Sequence, residues 1–275
     1  MHDFADAEQR PGVPPRLVFV GGLHRSGTSL VHRCLAAHPD VSGFSGTGVS
    51  EDEGQHLQSV YTPDWRSGGA GLFAFDPGAH LTERSPLVSP RSRDRLLAEW
   101  GPHWRTGALV GVEKSPPNLI RSRFLQALFP DAVFVMVVRH PAAVACATQK
   151  GRRRVLTFGA LLRHWVACHL TLAEDAPFVK RLHVVRYERL VADPDVVLAP
   201  VWSALRVTPQ AAGERVQKGI DERYFERWRS LRNPLRRIDR DRATERWEAA
   251  VNRFGYSLVD LERSDAGSAF DRLSS

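Results

Sequence analysis

The segment Gly21-Gly22-Leu23-His24-Arg25-Ser26-Gly27-Thr28-Ser29 constrains this chain more than any other. An apolar run, Leu17-Val18-Phe19-Val20, leads into it, and an amphipathic stretch from Leu30 to His38 leads out. A buried strand, a glycine-rich turn and a helix, in that order, form a cradle for a tetrahedral anion. The turn's backbone N–H groups and the helix N-terminus converge on one point. From Gly22 the spacing is G-x4-G-T-S, one residue away from the P-loop pattern G-x4-G-K-S/T. Thr28 stands where that pattern carries lysine, and the fixed positive charge sits inside the turn on Arg25. A nucleoside-triphosphate enzyme needs the lysine on the β/γ-phosphates. The turn therefore suits a phosphate-like group other than an ordinary NTP–Mg²⁺ pair.

The rest of the chain alternates strand and helix. Arg16–Val20, Ala108–Val112, Ala132–Val138 and Leu182–Val185 read as strands, and Ala132–Val138, apolar throughout, as a central one. Helices are expected over Thr28–His38, Arg91–Trp100, Asn118–Phe129, Pro141–Gln149, Phe158–Glu174 and Pro194–Leu205. Residues 42–71 are rich in Gly, Ser and acids and read as loop with one short helix, Glu53–Val60. Past Thr208 the chain reads helical and charged. The expected class is α/β: a P-loop-like, doubly wound parallel sheet flanked by helices, with an irregular, partly helical insertion and a helical C-terminal region. A single domain over 16–262 would carry the insertion at 42–108, between a flexible tail at 1–15 and a second tail at 263–275. Ligands of such sheets bind beyond the carboxyl ends of the strands.

Composition narrows the function classes. The chain has 275 residues and a net charge of +7, which favours acidic ligands. No run approaches the length of about 18 apolar residues that a membrane span needs. Met1–Pro15 lacks the apolar stretch of a secretion signal. Cys34, Cys146 and Cys168 form an odd set with no C-x-x-C pair, so reduced thiols and a cytoplasmic location are expected. Arg152-Arg153-Arg154, and the arginines from Arg227 to Arg242 near Trp228 and Trp247, fit solvated faces or a nucleic-acid surface. No nucleic-acid module accompanies them, so neither nucleic acid nor membrane is expected as a partner, and a homodimer is compatible.

Three further motifs fall at expected strand ends. Val137-Val138-Arg139-His140-Pro141 delivers an arginine where a nucleotide-binding strand of the P-loop kind delivers aspartate for Mg²⁺. It reads as an anion ligand, or as an arginine paired with a carboxylate. Lys114, in Glu113-Lys114-Ser115-Pro116-Pro117-Asn118, would project into the same crevice, or cap a surface turn. Tyr187, in Val184-Val185-Arg186-Tyr187-Glu188-Arg189-Leu190, would stack on a nucleotide, or sit in the core.

These four elements, in this order, resemble the sulfotransferases that use 3′-phosphoadenosine-5′-phosphosulfate (PAPS). In style they are similar to the bacterial sulfotransferases related to the tyrosylprotein sulfotransferases, over most of residues 16 to 200. HRSGTSLVHRCLAAHPDV looks like the family's 5′-phosphosulfate loop and helix, VMVVRHPAAVACA like its 3′-phosphate motif, and VVRYERLVADP like its later strand–helix signature. The resemblance implies a metal-independent transfer of a sulfuryl group from PAPS to a hydroxyl of a small molecule, carbohydrate or peptide, releasing 3′,5′-adenosine bisphosphate. It places the 5′-phosphosulfate on Arg25, Ser26, Gly27, Thr28 and Ser29, flanked by His24, and the 3′-phosphate on Arg139. It gives Lys114 the transferring group to stabilise.

Two departures matter. Ala147 stands where the family's 3′-phosphate motif usually places a serine, and Thr148 is the nearest hydroxyl. Ser45-Gly46 stands where the tyrosylprotein enzymes carry an acidic pair. The general base is then sought among Glu51, Asp52 and Glu53, with His56 in reserve, and Glu53 is preferred because it would begin a helix facing the cleft. Trp65, Trp100, Trp104 and Trp228 would shape the acceptor pocket or belong to the core. The rival readings are a P-loop-type kinase for a small metabolite and a non-catalytic nucleotide-binding module.

Overall fold

The computed structural model describes residues 12–149, 155–211 and 219–264. Its strands are β1 (Arg16–Gly22), β2 (Val41–Gly43), β3 (Val110–Lys114), β4 (Val133–Val138) and β5 (Leu182–Arg186). They form one sheet in the order β2-β3-β1-β4-β5, and every pairing is parallel. In the middle, Val18 of β1 lies between Val112 of β3 and Val133 of β4.

Period-two alternation along β1 and β4 feeds two separate cores, as a sheet covered on both faces requires. Val18, Val20, Val133, Val135 and Val137 face one way, against Leu30, Val31 and Leu35 of α1 (Thr28–Ala36). Leu198, Val201 and Trp202 of α7 (Pro194–Leu205) join them, after the short α6 (Tyr187–Ala192). Leu17, Phe19, Phe134, Met136 and Val138 face the other way. There they meet α2 (Pro90–Trp100), α3 (Ser122–Leu128), α4 (Pro141–Thr148) and α5 (Phe158–Asp175). The charged C-terminal region forms α8 (Glu222–Arg229) and α9 (Pro234–Asn252), and α9 packs on α5. The doubly wound parallel α/β class is thus present.

Several local expectations change. The helix expected at Glu53–Val60 is replaced by 3-10 turns at Ser50–Asp52 and Gly54–His56, because Glu51 and Asp52 take left-handed φ of 55° and 50° and Glu53 is extended. The strand expected at Ala108–Val112 runs two residues further, so Glu113 and Lys114 belong to β3. Edge strand β2 lies in a stretch read as loop. The helix expected at Asn118–Phe129 begins as a 3-10 turn at Pro116–Ile120, set by the two prolines. Trp100, Trp104 and Trp228 are buried core residues, whereas Trp65 is 60% exposed. The Arg152–Arg154 cluster and most of both expected tails lie outside the described residues. Among the described residues no helix is long and apolar enough to cross a membrane.

Candidate functional site

The glycine-rich turn closes with Ser26 N–H donating to the Leu23 carbonyl at 3.0 Å. Arg25 sits at φ 70° and Gly27 at φ 106°, a left-handed entry into α1. No side chain caps that helix start. Its first N–H groups are therefore available to an anion. Gly27 is needed for a second reason: a Cβ there would lie 2.5 Å from the Tyr187 ring. The absent side chain lets Tyr187, at the start of α6, pack onto the turn. Ser26 is buried with no partner for its hydroxyl, and Arg25 is exposed with no carboxylate partner among the described residues. An uncapped helix, an unpartnered buried hydroxyl and an unpaired guanidinium are what a phosphate-like group would satisfy.

Arg139 leaves the end of β4 and reaches the same turn. Its Nη1 donates to the Arg25 carbonyl at 2.8 Å. Its Nε donates to Asp221 Oδ1 at 2.9 Å, and Nη2 bonds the same oxygen. The guanidinium stacks over the Tyr187 ring at 4.0 Å. The carboxylate pairing read from the sequence is present, and Arg139 also lines a cleft. That cleft, about 440 Å³, is lined by Arg25, Thr28, Ser29, Arg139, Ala147, Tyr187, Arg223 and Tyr224, among others. Thr148 is not among those lining residues. It is buried at the end of α4, where its methyl faces Gly71.

Lys114, the last residue of β3, is buried. Its Nζ donates to the Glu51 carbonyl at 2.7 Å and pairs with Glu53 Oε1 at 3.3 Å. The other Glu53 oxygen accepts from Gln55 Nε2 at 2.6 Å and lies 3.6 Å from His56 Nε2. A second cleft of about 750 Å³ opens on Lys114, His32, Asp52 and Arg105, and shares Ser29, Arg33 and Glu51 with the first. Asp52 is spent on its own loop. Hydrogen bonds from the Thr47 hydroxyl and the Thr47 and Gly46 N–H groups hold its carboxyl below the usual range. His24 turns away from the first cleft and bonds Asp64 Oδ2 through Nε2 at 2.9 Å. Burial would raise the Asp64 carboxyl, but the hydrogen bond and charge of His24 outweigh it and leave it lowered.

Sequence reasoning missed Gln55, Asp64, Asp221, Arg223 and Tyr224. Gln55 is fully buried and joins Glu53 to Asp64, whose N–H it accepts at 2.9 Å. A lone glutamine carries no motif. Glu113 was read only as the neighbour of Lys114. Burial pushes its carboxyl up to about 7, and Ser115 and Asn118 each donate to it at 2.5 Å. His140 caps α4 and bonds the Ser257 carbonyl at 2.9 Å, and burial pushes it down to about 3.

The residue pattern of the sulfotransferase family matches residues 15–211 of this chain, which include all three strand-end motifs and the turn. The chain belongs to the sulfotransferase family. A putative protein-tyrosine sulfotransferase of Caenorhabditis briggsae is 28% identical to this chain over 137 residues, 47% of this chain and 41% of the relative. The nodulation protein NoeE of Sinorhizobium fredii is 24% identical over 259 residues, 78% of this chain and 60% of NoeE. The chain thus spans about half the length of these curated relatives. Among solved structures, the sulfotransferase domain of the Synechococcus PCC 7002 olefin synthase superposes with a TM-score of 0.50 at 20% identity, covering 88% of this chain and 98% of that one. Sulfotransferase STF9 of Mycobacterium avium gives 0.52 at 12% identity, covering 91% and 78%. The chain shares their fold.

Proposed function

We propose that this sulfotransferase moves a sulfuryl group from PAPS to a hydroxyl acceptor and releases 3′,5′-adenosine bisphosphate. The observation that carries the reading is Lys114, which lines the 750 Å³ cleft and pairs at 3.3 Å with the buried Glu53, while that cleft shares Ser29, Arg33 and Glu51 with the cleft beside the turn. The 440 Å³ cleft takes the donor's nucleotide, with Arg139 on the 3′-phosphate and Tyr187 against the nucleotide. Arg25, Ser26, Gly27, Thr28 and Ser29 hold the 5′-phosphosulfate. The 750 Å³ cleft admits the acceptor.

The donor supplies an activated sulfuryl group: one S–O bond forms to the acceptor oxygen as the bond to the phosphate oxygen breaks. Lys114 and Arg25 place positive charge on either side of the oxygens that gain charge, the kind of stabilisation worth roughly 10²–10³ in rate at comparable oxyanion sites. Glu53 takes the acceptor's proton on Oε1 as Lys114 turns to the sulfuryl oxygens, and Gln55 keeps the other carboxylate oxygen in place. Glu51 and His56 are the reserve bases. The domain spans 16–262. All three cysteines are buried thiols outside any disulfide, which supports a reducing, cytoplasmic setting.

The test is calorimetric titration with 3′,5′-adenosine bisphosphate beside ATP–Mg²⁺, on the wild type and Arg139→Ala. Tight binding of the bisphosphate, lost in the variant, is expected. Preference for ATP–Mg²⁺ would replace this reading with a kinase. Bisphosphate binding without turnover on any hydroxyl acceptor would leave a nucleotide-binding module.

A further inference from the structure

We infer that Asp221 is a positioning residue of the donor site: it holds the Arg139 guanidinium so that the remaining N–H groups face a 3′-phosphate. This rests on the reading that the 440 Å³ cleft binds a 3′-phosphorylated adenosine nucleotide.

A guanidinium carries five N–H bonds in one plane. In Arg139 one from Nε and one from Nη2 go to Asp221 Oδ1, and one from Nη1 goes to the Arg25 carbonyl. That leaves one N–H on each terminal nitrogen to donate to a phosphate. Two rings pack near the guanidinium, Tyr187 with its centroid at 4.0 Å and Tyr224 at 5.5 Å. Without a partner, so buried an arginine would lie badly desolvated and free to turn.

The cleft's composition explains why a carboxylate is needed there. Ala147 lines it without a hydroxyl, so α4 contributes no polar group at that position to orient an anion. The positive potential survives the pairing, since Arg25, Arg33 and Arg223 line the same space. Asp221 itself lies just before α8, beyond residues 15–211 that match the family pattern. The segment 220–224 therefore completes the donor cleft: Ile220, Arg223 and Tyr224 line it while Asp221 holds its arginine.

The experiment compares the affinities of 3′,5′-adenosine bisphosphate and adenosine 5′-monophosphate, by calorimetry, for the wild type, Asp221→Asn and Asp221→Glu. The difference between the two ligands isolates the 3′-phosphate. The wild type should favour the bisphosphate. Asp221→Asn should lose about tenfold or more of that advantage, the scale of a charge-assisted hydrogen bond, with monophosphate affinity unchanged. Asp221→Glu keeps the carboxylate and should keep most of the advantage. If Asp221→Asn does not fold, Asp221→Glu decides alone, because loss of affinity for both nucleotides together would overturn the inference. An unchanged or increased advantage in Asp221→Asn would also overturn it, and would mean that Asp221 competes with the phosphate. A wild type with no preference between the nucleotides would overturn the donor reading, and the inference with it.

Discussion

Lys114 Nζ and Glu53 Oε1 stand 3.3 Å apart, with both side chains almost wholly withdrawn from solvent at 2% and 6% exposure. Removing one partner of such a pair costs about 3–5 kcal/mol, because the other charge is left buried and unmatched. Lys114→Met should therefore both destabilise the protein and slow turnover by roughly 10²–10³, while bisphosphate binding persists. The double variant Lys114→Met/Glu53→Gln should recover much of the stability and none of the turnover. Thermal melts beside steady-state rates check this, and a double variant as unstable as the single one would contradict the pairing argument.

The base assignment separates by substitution. Glu53→Gln should lower kcat by roughly 10²–10⁴, the usual worth of a positioned base, with the donor still bound. Glu51→Gln, on an exposed side chain, should stay within a few-fold of wild type. A wild-type rate in Glu53→Gln would move the role to Glu51 or His56.

Arg25 combines an unpaired charge with a left-handed backbone at φ 70°. That conformation costs a side-chain-bearing residue about 1–2 kcal/mol and costs glycine little. Arg25→Gly should melt no lower than wild type, yet bind the bisphosphate at least about tenfold more weakly. A melting point well below wild type would show that the arginine shapes the turn rather than serving the ligand.

Stability should depend on pH from two directions. Burial pushes His32 down to about 4, helped by the charge of Lys114, and His140, His164 and His169 down to about 3. Each lies below its unfolded value of 6.5. Groups of this kind stabilise the fold above 6.5 and lose that contribution as pH falls toward the folded values. Urea midpoints should therefore fall steadily below about pH 6. Glu113 acts oppositely. Its folded value near 7 exceeds the unfolded 4.5, so its contribution is full below 4.5 and lost as pH rises through 7. Compared with wild type, Glu113→Gln should gain stability between pH 5 and pH 8, by at most about 3 kcal/mol.

The sheet and the turn were legible because their signals are local. Ala132–Val138 announced a buried strand by composition, and Gly22 to Ser29 announced a strand–turn–helix by spacing. The surroundings were not legible, because they are made by residues far apart in the chain. Asp221 meets Arg139 across 82 positions, and Lys114 meets Glu53 across 61. The expected helix at Glu53 failed because two consecutive left-handed residues, Glu51 and Asp52, break the backbone where periodicity alone would continue it. Thr148 was nominated for its chemistry, but α4 turns its neighbour Ala147 into the cleft instead.

The bond from Lys114 Nζ to the Glu51 carbonyl has a mechanical meaning. Two strained residues in succession hold energy that the surrounding bonds must restrain. Lys114 fastens the turn at one end, and the Asp52 carboxylate fastens it at the other through Gly46 and Thr47. Because Glu51 lines both clefts, the amine that restrains this turn also sets the boundary the two clefts share.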